Sequence, residues 1–361
     1  MSITAERVNE ILKTVVDPNT GKDLVSSRAA RNVKVNGNDV SVDIELGYPA
    51  ASQIDGIRSL VVDALKRAGA GNVSANVTTK IVAHTVQRGL KVMPNVKNII
   101  AVSSGKGGVG KSTVAVNLAL ALAAEGARVG MLDADIYGPS QPTMLGIEGK
   151  PESVDGRTLE PLENYGIQAS SIGFLVDADQ PMVWRGPMVT QALQQLLAQT
   201  NWKDLDYLIV DMPPGTGDIQ LTLAQQVPVT GAVIVTTPQD IALLDAIKGL
   251  KMFEKVGVPI LGIVENMAVH VCSKCGHAEH VFGAGGAERM AKEYGVEVLG
   301  SLPLDIRIRE QTDAGRPTVV AEPDSDIARA YKAIARKVAI RIAEKAKDMS
   351  LKIPTIKVTN T

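Results

Sequence analysis

The chain has 361 residues, 45% hydrophobic and 21% charged, which is ample for two domains with a sizeable core. Lys and Arg (38) nearly balance Asp and Glu (39), so no basic excess marks nucleic acid or an anionic membrane as a primary partner. No apolar run reaches bilayer-spanning length, and MSITAERVNEILKTVVDPNTG spaces its apolar positions as an amphipathic helix rather than a secretory signal. The expectation is a cytoplasmic protein with neither a nucleic-acid nor a membrane partner.

In chain order, residues 1–86 read as a small α+β domain. A helix is expected over Ala5–Val15. Two strands follow within Arg31–Leu46, joined by Asn36-Gly37-Asn38, a hairpin signal. A helix over Gln53–Ala68 and a strand over Asn72–Lys80 complete it. No catalytic cluster stands out, and its lone His84 reads as structural. Residues 87–97, with Pro94, read as a linker.

From Asn98 the pattern changes. Apolar runs at Asn98–Val102, Arg128–Leu132, Tyr207–Val210, Ala232–Thr236, Ile260–Val264 and Val296–Ser301 alternate with helical segments. Such alternation predicts an α/β domain over 98–349, a doubly wound, mostly parallel sheet with helices on both faces. Asp324–Met349 reads as a long amphipathic closing helix, and 350–361 as a polar tail.

The strongest motif is Gly105-Lys106-Gly107-Gly108-Val109-Gly110-Lys111-Ser112, followed by Thr113. An expected strand precedes it and an expected helix follows, which is the P-loop context. Glycines let backbone N–H groups turn toward phosphates, and the helix start adds its dipole. Lys111 is the candidate for the β- and γ-phosphates, and Ser112 for Mg²⁺. Lys106 is additional. It resembles the early lysine of the MinD, ArsA and nitrogenase iron protein class, which reaches the partner's nucleotide across a homodimer.

Two carboxylate positions end later strands, where open α/β sheets bind ligands. Asp211, in Leu208-Ile209-Val210-Asp211-Met212-Pro213-Pro214-Gly215, is the candidate Walker B acid for Mg²⁺. Asp135, in Asp133-Ala134-Asp135, is the candidate to orient attacking water. Aspartates after strands also serve as helix caps, and for Asp133 both readings stay open.

The only cysteines, Cys272 and Cys275, form Cys-Ser-Lys-Cys, followed by Gly276 and His277. Thiolates at this spacing can face one metal centre, but a cluster or an all-cysteine zinc site needs four. A two-fold dimer supplies four. The alternatives are an intrachain zinc site from Cys272, Cys275, His277 and His280, and a redox pair. His270 is a third nearby histidine.

Longer strings resemble the Mrp/ApbC family of iron–sulfur cluster carrier ATPases. They are Trp184-Arg185-Gly186-Pro187-Met188, Leu205–Asp218, Thr237-Pro238-Gln239, Val264-Glu265-Asn266-Met267 and Phe282-Gly283-Ala284-Gly285-Gly286. Residues 1–85 are similar to a small domain found before the ATPase and alone in cluster-assembly proteins. The resemblance implies a homodimeric ATPase with ATP and Mg²⁺. It also implies a cluster, 4Fe-4S by expectation, bridging the dimer and passing to apo iron–sulfur proteins, with cluster-assembly scaffolds as further partners. It assigns adenine recognition to Asn266, with the Pro303 segment beside it. The histidines around the cysteines depart from the family pattern and leave room for altered cluster stability or metal preference. A MinD-like regulatory ATPase with structural zinc is the alternative. A nitrogenase-iron-protein-like reductase is a third class.

Overall fold

The computed structural model describes residues 3–84, 93–176 and 186–351. Two compact units form. The first takes in the described residues up to Val82 and, from the far end of the chain, the helix from Ala339 onward. The second spans Ala83–Val338.

In the small unit, α1 (Ala5–Leu12) precedes β1 (Ala30–Asn36), β2 (Asp39–Leu46), α2 (Ile54–Arg67) and β3 (Val73–Thr79). The expected hairpin forms, with Asn36 opposite Asp39 and Gly37 in the left-handed region that the tight turn requires. β2 is central, paired antiparallel with β1 and parallel with β3. Its alternate residues Val40, Val42, Ile44 and Leu46 are buried, as are Ile57, Val61 and Leu65 of α2. Period-2 and period-3.6 apolar patterns thus close on one core.

The large unit contains β4 (Val96–Ser103), α3 (Lys111–Ala124), β5 (Val129–Asp133), α4 (Gln141–Leu145), β6 (Leu162–Asn164), β7 (Ile167–Ser171), α5 (Gly186–Gln199), β8 (Leu205–Asp211), α6 (Asp218–Gln226), β9 (Gly231–Thr236), α7 (Asp240–Lys255), β10 (Ile260–Glu265), β11 (His270–Val271), β12 (Ala278–Glu279), α8 (Gly286–Tyr294), β13 (Val298–Ser301), α9 (Ile306–Asp313) and α10 (Thr318–Ala321). The closing helix α11 runs Asp326–Leu351, so the first two residues of the expected tail are helical, and 352–361 lie outside the described residues. Much of the expected linker, 87–92, also lies outside them, while its last residues, from Val96, already belong to β4.

Among the described residues the main sheet has eight strands, ordered β13-β10-β9-β4-β8-β5-β7-β6. All neighbours are parallel except β6 and β7. The doubly wound expectation holds, with an antiparallel edge that the sequence reading lacks. β6 is three residues long and β7 reads Ile-Gln-Ala-Ser-Ser, so neither presents an apolar run. Strands β5, β8 and β9 are buried at every position, which is why they read as continuous apolar runs. Helix α3 is buried nearly all round, from Val114 to Leu122.

The strand order sets the site. After β4 the chain skips outward to β5, and β8 returns between them; β9 then starts the other half. The ends of β4, β5 and β8 therefore lie side by side, with Asp211 opposite Asp133 on one flank and opposite Val102 on the other. This is the crevice at the carboxyl ends of the strands.

Candidate functional site

Between Ser103 of β4 and Lys111 of α3 the chain makes the phosphate loop. Gly108 and Gly110 have φ of 82° and 81°, a region closed to most side chains. A Cβ at Gly105 would lie 2.0 Å from the carbonyl carbon and oxygen of Asp245 in α7, so only glycine allows that approach. The Ser104 hydroxyl donates to the Lys106 carbonyl at 2.8 Å, and the Gly215 N–H after β8 donates to the Ser104 carbonyl at 3.0 Å. The loop is thereby tied to the segment following Asp211.

Lys111 and Asp211 form an ion pair at 5% and 0% exposure. The Lys111 ammonium also donates to Ser112 Oγ at 3.0 Å. One cation thus bridges the two oxygens that the sequence proposes for Mg²⁺, and this donor set of a carboxylate and a hydroxyl suits a hard divalent cation. Asp133 lies beside them, fully buried. Its Oδ2 accepts from the Gln141 N–H and the Ser171 hydroxyl, both at 3.1 Å, and its Oδ1 accepts from the Asp135 N–H at 3.2 Å. Burial first, then the charge of Asp211, push the Asp133 carboxyl up to about 7. Asp135 is only half-buried. Burial raises it as well, while the Lys111 charge pulls the other way. Asp133 is therefore a support within the strand ends, and Asp135 is the more accessible carboxylate.

Asn266 follows β10. It is buried, and its Nδ2 donates to the Val109 carbonyl at 2.9 Å. Its amide thus clamps the phosphate loop, a contact the motif reading lacks. Pro303 is brought beside this segment by Leu302 N–H to the Glu265 carbonyl and Leu304 N–H to the Val269 carbonyl, both 2.8 Å. Lys106 is half-buried, and its ammonium makes no ion pair with a described residue. His84 fits the structural reading. Its Nδ1 lies 3.1 Å from Asn98 Oδ1, and its carbonyl accepts from the Thr230 hydroxyl at 3.2 Å.

Elsewhere in this unit, β11 and β12 make a two-stranded hairpin whose tip is Cys272–His277. The Cys272 N–H donates to the His277 carbonyl and the Gly276 N–H to the Cys272 carbonyl, both at 2.9 Å, and Gly276 has φ 71°. Cys275 is exposed and Cys272 partly so, and both are free thiols. Backbone N–H groups of Lys274 and Cys275 hold the Cys272 thiol below its ordinary value, favouring the thiolate. His270 and His280 donate Nδ1–H to the carbonyls of Leu304 (3.1 Å) and Ala268 (2.8 Å). Among the described residues no three of His, Cys, Asp and Glu gather as ligands for one metal ion, so the intrachain zinc set is not assembled.

Sequence reasoning did not single out Gln141 or Ser171. Both lie in segments that follow or form strand ends, and that position is the one signal the sequence carries for them.

A profile of the NUBPL iron-transfer P-loop NTPase family matches residues 95–339, more than half of the chain. The chain belongs to this family. A profile named iron-sulfur cluster assembly protein matches residues 5–78, within the small unit. The chain is 51% identical over 346 residues to an iron-sulfur cluster carrier protein of Haemophilus influenzae, with 94% of each covered. Among solved structures it is similar to a nucleotide-binding protein of Archaeoglobus fulgidus in complex with ADP. The identity is 40% and the TM-score 0.57, over 65% of this chain and 91% of that one. The cell division ATPase MinD of Pyrococcus furiosus shares the fold, at 24% identity and TM-score 0.50, over 67% of this chain and 98% of the other. The family resemblance read from the motifs holds. Among the described residues no helix is long and apolar enough to cross a membrane.

Proposed function

We propose that this NTPase binds and hydrolyses ATP, holds an iron–sulfur cluster as cargo on Cys272 and Cys275 together with the same pair of a second copy, and passes it to apo-proteins in the cytoplasm. The observation that carries the reading is the pairing, in one unit, of a complete phosphate loop with a hairpin tip presenting two free thiols. Two thiolates fill half of a four-coordinate cluster, and two-fold symmetry supplies the rest. A 4Fe-4S cluster is the expected cargo, and cluster-assembly scaffolds are expected sources.

In the nucleotide site, Lys111 leaves its pairing with Asp211 to meet the β- and γ-phosphates. Ser112 Oγ and Asp211 would then hold Mg²⁺, which neutralises developing phosphate charge. Backbone N–H groups of Gly107–Thr113 cradle the phosphates, and Asp135 orients the attacking water. Asn266 serves the adenine end, with Pro303 beside it. Lys106 is the residue proposed to meet the partner's nucleotide. The Asp211–Gly217 segment, joined to the loop through Gly215 and Ser104, is the route by which γ-phosphate loss changes the unit.

The test is anaerobic reconstitution with iron and sulfide, with metal and sulfide counts per dimer and transfer to an apo-ferredoxin. About four irons and four sulfides per dimer, lost in Cys272→Ala, is the expected result. One zinc per chain with no iron uptake overturns the carrier reading.

A further inference from the structure

Gln141 is nearly as inaccessible as a core leucine, at 1% exposure, yet it is polar and belongs to no motif. It opens the short helix α4 after Tyr137-Gly138-Pro139-Ser140. Its backbone N–H is fixed on Asp133 Oδ2. From there its side chain reaches across to the other two walls of the site. Nε2 donates to Asp211 Oδ2 at 2.8 Å and to the Ser112 carbonyl at 3.2 Å. Both partners only accept, so the amide orientation is chemically forced; the flipped form would set its oxygen against a carboxylate and a carbonyl. Oε1 is then the remaining atom, buried and without a partner. A buried acceptor without a donor is costly, which points to a donor that arrives with the ligand.

The two oxygens of Asp211 are divided. Oδ1 faces the Lys111 ammonium, and Oδ2 is held by Gln141. We propose that Gln141 is a positioning residue of the ATP site, reserving Asp211 Oδ1 for the divalent cation and offering Oε1 to a donor from the cation's hydration shell. The proposal rests on the nucleotide reading above. Gln141 acts through Asp211 and touches no reacting atom, so its effect falls on metal affinity rather than on nucleotide contacts.

The experiment compares the full chain with Gln141→Met and Gln141→Leu, which keep the volume and remove the amide. Mn²⁺ affinity of the ADP complex is read by electron paramagnetic resonance, and ADP affinity is read separately in EDTA. The expected result is a loss of Mn²⁺ affinity of about tenfold or more, as for a hydrogen bond to a charged group, with ADP affinity in EDTA kept within about twofold. In steady-state turnover the Mg²⁺ requirement rises while the ATP KM at saturating Mg²⁺ holds.

Equal Mn²⁺ affinity in variant and parent overturns the proposal, and so does an equal loss with and without metal, which marks a packing role. Should both variants fail to fold, the parent decides. The Gln141 side-chain amide resonance must shift when Mg²⁺ is added to the ADP complex, and an unmoved resonance overturns the proposal. A parent chain that binds no ADP at all overturns the nucleotide reading and this proposal with it. A parent that binds ADP while the variants keep full Mn²⁺ affinity overturns this proposal alone.

Discussion

Replacing Lys111 by Met should destabilise the nucleotide-free protein as well as abolish ATP binding, and the size of the first effect follows from burial. Lys111 is 5% exposed and its partner Asp211 is fully buried. Without the ammonium, Asp211 keeps one side-chain donor, Gln141 Nε2, and faces the second buried carboxyl of Asp133 across the strand pair. Removing one partner of a buried ion pair costs about 3–5 kcal/mol, because the other charge is left without compensation. Met retains most of the lysine stem, so little of the loss is packing. In the double variant Lys111→Met, Asp211→Asn the orphaned charge is gone. Most of the loss should return, to within about 1–2 kcal/mol of the parent, while ATP still does not bind. The assay is urea unfolding in EDTA without nucleotide, followed by tryptophan emission, since Trp202 is buried in the core of this unit. A Lys111→Met variant as stable as the parent, or a double variant less stable than the single, would refute the assignment of the buried charge pair as the organising contact of the strand ends.

Three further outcomes follow from the same geometry. Gly105→Ala places a methyl 2.0 Å from the Asp245 backbone, which cannot yield as a side chain does; loss of nucleotide affinity of at least tenfold with about 1–3 kcal/mol of destabilisation is expected from calorimetry and unfolding. Asp133 has a folded-state pKa raised to about 7. The folded state therefore holds the proton more tightly than the unfolded chain, and this group's contribution to stability falls as pH rises from the ordinary aspartate range to about 7. Asp133→Asn should flatten that part of the stability–pH curve, measured by urea midpoints at several pH values; an unchanged slope removes Asp133 as its source. Replacing both cysteines by alanine should abolish iron and sulfide uptake while ADP affinity stays within about twofold, because the thiols take no part in the contacts of the phosphate loop.

The family and the fold class were legible because both rest on local signals. The string from Gly105 to Ser112 encodes a strand–loop–helix junction in consecutive residues, and the positive φ at Gly108 and Gly110 is a need that glycine announces. Buried parallel strands read as unbroken apolar runs, so β5, β8 and β9 were visible. β7 was not, because its Gln and Ser residues find partners within the fold: Ser171 bonds Asp133, and Gln168 bonds the Lys203 carbonyl. The histidines around the cysteine pair looked like ligands. The backbone carbonyls that accept from His270 and His280 lie 34 and 12 residues away, beyond the reach of motif spacing.

The sequence by itself singled out the residues proposed to carry chemistry: Lys111, Ser112 and Asp211 as candidates for phosphate and cation, and Cys272 with Cys275 as candidates for a soft metal centre. The tertiary structure decided how they are held. Strand order sets Asp133 beside Asp211, a loop after β5 sends Gln141 across to both, and Asn266 returns from 157 residues away to fasten Val109. Residue spacing encodes backbone geometry over a turn or two, whereas these contacts depend on which strands become neighbours and in what register. That is settled only when the whole sheet buries its apolar faces together.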